Sequence, residues 1–349
     1  MKIRNRLAGT LLCVGMLVCS GCQNETAERA EKAGCTKEAK VTQSVGQDST
    51  QNHTIEKVTS PDFTIEGISG FLVEQDGKVS YQLTYTPRED RAGFLYWDMP
   101  VPYDSYAVVD TERMYQLFEQ FASVDWKNLE KSKTKDMGQK DTGVASSKTR
   151  FTLSYVDGAV SKQKDTAQKA FTILVGKENG KGQYYCSFDG EEDTVFLLNH
   201  TLVDGAKNQK PYDLILKIPY LLDIDTVKEV EITGLDRKIM MEHKDGCDKI
   251  NGKQVKEEEY NALYSSLLQP GITGEYIEKS EKTLLSDRKE VLSLHYKRTR
   301  KEYEDYQVQI FAYDEKSDGI QVNGKVFFLI NKEEVEELVG SLEDLQEKL

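Results

Sequence analysis

Past residue 58 the chain carries two hydrophobic rhythms. Apolar residues recur at every second position in short runs and, in three places, at every third or fourth position. The first rhythm marks a strand with one buried face, the second a helix with a buried stripe. Residues 63–68 and 71–85 predict strands, with a turn at Asp76-Gly77 inside the second run. Trp97, Asp98, Met99, Pro100 and then Pro102 interrupt regular structure. Asp110, Thr111 and Glu112 stand at the mouth of a helix in which Met114, Leu117, Phe118 and Phe121 share one face. The polar stretch 131–148 predicts a mobile loop. Strands at 150–156, 170–175, 183–188 and 194–199 follow.

After a connector through 214–222 the pattern starts again. Residues 227–232 and 237–242 predict strands, followed by Asp245-Gly246. Glu257, Glu258 and Glu259 then head a helix carrying Tyr260, Leu263, Tyr264 and Leu267; carboxylates favour the positive pole of a helix. Strands at 290–296, 306–313 and 325–331 lead to a final amphipathic helix at 332–349. Val195-Phe-Leu-Leu-Asn199 and Val326-Phe-Phe-Leu-Ile-Asn331 hold equivalent places, as do the two helical stripes. The expectation is an α+β fold of two tandem ββ-α-βββ-like units, 58–225 and 226–349. Each unit would carry a mainly antiparallel sheet covered on one face by a helix. Chance similarity between apolar strands is the competing reading.

The N-terminus follows neither rhythm. Lys2, Arg4 and Arg6 precede an apolar run from Leu7 to Val18 and then Cys19-Ser20-Gly21-Cys22. A basic start, a short apolar run and small residues before a cysteine describe a secretory signal, here 1–21. The run is well short of the ~20 apolar residues that span a bilayer. Ser-Gly-Cys makes it resemble a bacterial lipoprotein signal. That resemblance implies cleavage before Cys22 and a diacylglycerol on its thiol, whose two acyl chains hold a protein stably at a membrane. Cys19 stands where such signals commonly have leucine, and bulky Val18 argues against Cys19 as the modified residue. An ordinary signal with an incidental cysteine is the alternative. Residues 22–57 are polar almost throughout, a composition that cannot offset its conformational entropy, and predict a disordered tether. A flexible coil of that length would hold the body roughly 30–35 Å from its anchor.

Charge narrows the partners. The formal net charge of −13 becomes three charges more negative once Lys2, Arg4 and Arg6 leave. Nucleic-acid binding rests on Lys and Arg neutralising phosphate, so that class is disfavoured. Adsorption to anionic lipid is disfavoured for the same reason. Of six cysteines, Cys35, Cys186 and Cys247 would remain as thiols, an odd set that forms no disulfide framework. A Cys186–Cys247 bridge stays open.

Three stretches of the body resemble the bacterial envelope-protein family known as domain of unknown function number 4340. They are Trp97-Asp-Met-Pro100 with the helix after it, 171–198, and Leu221-Leu-Asp-Ile-Asp225-Thr-Val227. The resemblance implies a lipid-anchored or membrane-associated envelope protein, sometimes linked to transporter or gliding-motility machinery. It carries no catalytic residues across.

No constellation for chemistry stands out. His53, His200, His243 and His295 are scattered, and His243 with Cys247 is two ligands where zinc needs three or four. Asp189–Asp193 and Asp223-Ile-Asp225 lack the ligand order of a calcium loop. Gly176–Gly182 resembles a phosphate loop but lacks its spacing and its hydroxyl residue, and predicts a hairpin turn. Lys297-Arg-Thr-Arg-Lys301 predicts a charged hairpin tip rather than a nucleic-acid patch, and no nucleophile elbow is present. The functional expectation is a non-catalytic binding or scaffolding module with an envelope protein partner, no cofactor, no metal and no nucleic acid. It would sit on the extracytoplasmic face of the cell membrane through Cys22. A solute-binding lipoprotein of a transporter is the alternative, and a wall-directed hydrolase a further one.

Overall fold

The computed structural model describes residues 55–87, 96–137, 141–162, 167–244, 247–277 and 288–348. The signal segment, Cys22 and the tether up to residue 54 lie outside them, as does the turn expected at Asp245-Gly246.

The first sheet is nine-stranded. In chain order it holds β1 (Glu56–Lys57), β2 (Ile68–Gln75), β3 (Lys78–Tyr85), β4 (Trp97–Met99), β5 (Ser132–Lys133), β6 (Thr149–Tyr155), β7 (Lys169–Glu178), β8 (Gln183–Phe188) and β9 (Thr194–Asn199). Its spatial order is β4-β3-β2-β6-β7-β8-β9-β5, antiparallel throughout, with β1 added parallel to β7. A helical turn, α1 (Pro100–Tyr103), follows β4; α2 (Thr111–Ala122) precedes β5 and α3 (His200–Lys207) follows β9.

The second sheet is also nine-stranded, ordered β13-β12-β11-β10-β15-β16-β17-β18-β14 and antiparallel. Its strands are β10 (Val227–Thr233), β11 (Ile239–Lys244), β12 (Cys247–Ile250), β13 (Lys253–Gln254), β14 (Ile272–Glu275), β15 (Glu290–Arg298), β16 (Asp305–Ala312), β17 (Ser317–Val322) and β18 (Lys325–Asn331). Helix α4 (Glu257–Leu267) lies between β13 and β14, and α5 (Lys332–Lys348) closes the chain. The class is therefore α+β, strand-rich, with two antiparallel sheets.

Apolar stripes decide which face each helix covers. Asp110 accepts a hydrogen bond from the Arg113 N–H at 3.2 Å and caps α2, whose Met114, Leu117, Phe118 and Phe121 are all buried. Phe121 packs 4.9 Å from Phe71 of β2 and 6.1 Å from Phe151 of β6. Helix α3, which the sequence pattern did not predict, covers the same face: Tyr81 of β3 donates to the Ala206 carbonyl at 2.9 Å. On the second sheet Tyr264 of α4 meets Tyr296 of β15 at 6.3 Å, and Arg237 donates to the Gln346 carbonyl of α5 at 2.7 Å. Buried apolar residues of both sheets join in one core cluster. Two connectors stitch the sheets together: Leu216 N–H donates to the Val108 carbonyl at 2.8 Å, and Ile272 N–H to that of Lys217 at 2.9 Å. Among the described residues no helix is long and apolar enough to cross a membrane.

Three tight turns fix the strand registers. Asp76-Gly77, Asn251-Gly252 and Asn323-Gly324 all have positive φ at both residues, the conformation whose twist suits a two-residue hairpin. The two asparagines also extend the neighbouring strand. Asn251 Oδ1 accepts from the Met240 N–H at 2.8 Å while its own N–H donates to the Met240 carbonyl. Asn323 makes the same pair of bonds with Gln307.

Three expectations change. Residues 63–68 are not a strand: a 3₁₀ turn occupies Ile65–Gly67, and β2 begins at Ile68. Here Gly67 lies against the carbonyls of Val156 and Gly158, too close for a side chain, so local packing overrides the alternating pattern. Glu56 and Lys57, placed in the tether by composition, pair with β7 through backbone bonds that composition does not report. The stretch 131–148 holds β5 and two 3₁₀ turns, and its Val144 is buried beside Gly176 of β7.

Candidate functional site

Cys22, the one residue to which the sequence assigns a chemical role, lies outside the described residues, as do His53 and Cys35. The remaining histidines each meet an aspartate. His243 Nδ1 lies 2.7 Å from Asp248 Oδ1, because the β11–β12 register sets these two opposite each other and leaves Cys247 opposite Lys244. His295 Nε2 is 2.9 Å from Asp305, and His200 Nδ1 is 3.7 Å from Asp204 one helical turn away. Among the described residues no group of three or more His, Cys, Asp or Glu side chains is gathered to hold a metal ion.

The acidic stretches serve their own turns. Glu192 accepts from the Gly190 N–H at 2.9 Å, and this bond lowers its pKa. Asp193 accepts from Lys133 Nζ at 2.8 Å, and that ammonium holds its carboxyl below the usual range. Asp223 accepts from the Asp225 N–H at 3.2 Å. At the β7–β8 hairpin Asn179 Oδ1 accepts from the N–H groups of Lys181 and Gln183, the very donors an anion would need. Cys186 and Cys247 are free thiols, so no bridge joins them, and burial pushes the Cys186 thiol far up.

Lys297–Lys301 lies at the β15–β16 hairpin as expected, but one of its charges turns inward: Arg298 is 0% exposed. The position ends β15 on its buried face, and Arg298 Nε and Nη2 donate to Thr226 Oγ1 at 3.1 and 2.6 Å. Its alternation with Tyr296, Leu294 and Leu292 was the available signal; the run of charge obscured it.

The sheets meet at an aromatic junction. Tyr103 of α1 is buried, with its hydroxyl donating to Glu275 Oε1 of β14 at 2.8 Å and its ring 4.9 Å from that of Phe328. Burial first, and the Glu275 carboxylate second, hold this phenol well above its ordinary pKa. Tyr106 stacks on Phe327 at 6.1 Å, and Lys325 pairs with Asp104 at 3.4 Å. Nearby, Lys217 Nζ lies 3.4 Å from the centre of the Tyr212 ring, and burial lowers its pKa.

Among the open cavities bounded by the described residues, three of the larger offer room where another molecule could rest. One of about 750 Å³ is bounded by Lys228, Lys244 and Lys297 together with Asp225, Glu229 and Glu242. A polar one of about 710 Å³ lies along α2 and α3, with Arg113, Gln116 and Gln120 on its wall. The third, about 470 Å³, mixes Leu129, Tyr185 and Leu197 with Glu130, Lys181 and Gln183. Its position follows from strand alternation: Tyr184 bonds Asp204 of α3 on the covered face, so its neighbour Tyr185, opposite Leu197, lies on the other face. Leu197 is 39% exposed there.

These features define a strand-rich α+β protein with two helix-covered antiparallel sheets and shallow surface grooves. No family model, no curated protein and no solved structure matches the chain.

Proposed function

We propose that this chain is a lipid-anchored envelope protein, held on the extracytoplasmic face of the cell membrane through Cys22, that docks another envelope protein without catalysing a reaction. The groove around Tyr185 and Leu197 carries the docking reading, because it sets an aromatic and an exposed aliphatic side chain among polar ones on the sheet face opposite the helices, the mixed make-up of a docking surface. The anchor reading rests on the basic, apolar and Ser20-Gly21-Cys22 order of the N-terminus. A tandem origin of the two sheets fits this picture. Both sheets run a hairpin into a four-strand meander, with a helix inserted between them and a second helix after the last meander strand. The resemblance to the envelope family named above agrees with it.

A solute-binding lipoprotein usually sets parallel sheets on either side of a deep cleft. The antiparallel order of both sheets favours docking over that role.

The test is photocrosslinking in intact cells from a probe placed beside Leu197, followed by identification of what is captured. The expected result is one recurrent envelope protein, lost in a Leu197→Asp variant that remains folded. Capture that is unspecific, or unchanged in the variant, overturns the reading.

A further inference from the structure

The two sheets end alike on one side and differ there in a single respect. In each, the last meander strand, β9 or β18, runs through an asparagine into a helix, and a short antiparallel strand pairs with its outer edge. Asn199 caps α3 by accepting from the Thr201 N–H at 2.8 Å, and Asn331 caps α5 by accepting from the Glu333 N–H at 2.9 Å. Aligned on these asparagines, Leu197 corresponds to Leu329 and Val195 to Phe327.

The edge of β18 is filled. The Asn331 N–H donates to the Gly271 carbonyl at 3.0 Å, Leu329 lies opposite Gly274, and the Tyr276 N–H donates to the Phe327 carbonyl at 2.8 Å. On β9 the equivalent cover stops early. Strand β5 sets Ser132 opposite Val195, and the Thr134 N–H donates to the Asp193 carbonyl at 2.8 Å, so the odd-numbered residues of β9 aim their backbone groups outward. The His200 N–H donates to the Gly182 carbonyl at 3.0 Å, so the even-numbered ones aim at β8. Leu197 therefore directs its N–H and carbonyl, and Asn199 its N–H, beyond the edge. Among the described residues no hydrogen bond meets them, and residues 129–131 make no backbone bond to β9.

We infer that the free edge of β9 from Leu197 to Asn199 accepts, by antiparallel strand addition, an extended segment of the envelope protein partner. The inference rests on the docking reading above and specifies the form of the partner. Unpaired donors and acceptors at strand spacing match another extended backbone, and the chain supplies its own example in the segment Gly271–Tyr276 seated on β18. Exposed edges are ordinarily blunted by proline or charge, yet Thr194–Asn199 carries neither. The edge also borders the groove: Leu197 is 39% exposed opposite Tyr185, with Glu130 and Lys181 beside them. A side chain of the added strand standing opposite Leu197 would rest over that groove and give the pairing its selectivity.

Asn199 has φ −62° and ψ 140°, a conformation that suits proline. Asn199→Pro removes the outward N–H, Asn199→Ala loses the same helix cap but keeps the N–H, and Leu197→Thr keeps the backbone while trimming the apolar side chain. The experiment is photocrosslinking in intact cells from Glu130→p-benzoylphenylalanine, in the otherwise native chain and in each variant. Folding is checked by circular dichroism, and the captured segment is mapped by mass spectrometry.

The expected result is one recurrent segment, captured roughly tenfold less in Asn199→Pro than in Asn199→Ala and retained in Leu197→Thr. A synthetic peptide of that segment, added to the native chain, should slow amide hydrogen exchange at Leu197 and Asn199 by about tenfold or more. Equal capture in the proline and alanine variants overturns strand addition; if Leu197→Thr alone loses capture, the docking reading stands without it. Unslowed exchange at both amides overturns strand addition as well, and decides the matter should Asn199→Pro fail to fold. No recurrent capture in any chain overturns both readings.

Discussion

Tyr296 donates its hydroxyl proton to Tyr220. The two oxygens are 2.9 Å apart, and the single proton of Tyr220 is already committed to the Leu267 carbonyl at 2.8 Å, so the remaining proton must come from Tyr296. Burial holds both phenols well above their ordinary pKa, and the chain of bonds persists at neutral pH. It ties the connector before β10 to α4 and β15.

The direction of that chain makes the two tyrosines unequal. Tyr220→Phe strands the Tyr296 proton and the Leu267 carbonyl, at a cost of roughly 2–3 kcal/mol. Tyr296→Phe leaves only an unused lone pair and costs about 1 kcal/mol. Urea unfolding of both variants and of the double variant measures the difference, and the double variant should cost less than Tyr220→Phe alone, since it leaves only the Leu267 carbonyl unpaired. Equal single-variant costs would contradict the assignment.

Thr226→Val removes the acceptor that Arg298 Nε and Nη2 share at 3.1 and 2.6 Å while keeping the shape of the side chain. A buried guanidinium losing this partner should lower stability by roughly 1–3 kcal/mol. The Thr226 hydroxyl also donates to the Asp223 carbonyl at 2.7 Å, which adds to the loss. A lower urea midpoint with an unchanged slope is the expected signature; an unaltered midpoint would show that Thr226 does not hold the charge.

Asp318 introduces a pH dependence whose sign is fixed by its surroundings. Its carboxyl is buried on β17 with Oδ1 unpartnered, and burial raises its pKa; Glu336 reinforces the rise and Lys332 opposes it. A carboxyl with a raised folded pKa binds its proton more tightly in the native state. Its favourable contribution is therefore complete below the ordinary value of 3.8 and is lost as pH rises through the folded value. Asp318→Asn should be more stable than the native protein at pH 7, by on the order of 1 kcal/mol. The two should converge as the medium is acidified. Thermal unfolding across pH measures this, and a destabilised Asn variant at pH 7 would mean that the charge anchors Lys332.

Cys22→Ala should release the protein from the membrane fraction and abolish incorporation of labelled palmitate, because the thiol is the proposed point of acylation. Continued palmitate labelling in that variant would refute the assignment.

Much of the fold could be read from periodicity. The stripes at Met114, Leu117, Phe118 and Phe121 and at Tyr260, Tyr264 and Leu267 are buried as their spacing predicts. The strands at β6, β8, β9, β10 and β18 fall where apolar alternation places them. Short or polar elements escaped. Strands β12, β13 and β17 carry few apolar residues, yet the Asn251-Gly252 and Asn323-Gly324 dipeptides marked their turns in the sequence. Helix α3 is only eight residues long, and its glycine and β-branched residues weaken the helical signal.

The candidate sites were far less legible. Tyr185 and Leu197 face each other only through the β8–β9 register, and the edge beyond Leu197 is open only because β5 pairs with no more than Thr194 and Val195. By itself the sequence determined the acidic balance and the strand and helix faces, and it alone supplies the proposal of an N-terminal signal ending at Cys22, since each depends on composition or on residues near one another in the chain. Only the tertiary structure decided the sheet orders, the burial of Arg298, the Tyr103–Glu275 junction and the open edge of β9. Those depend on which strands pair and in what register, a choice made by packing across the whole chain.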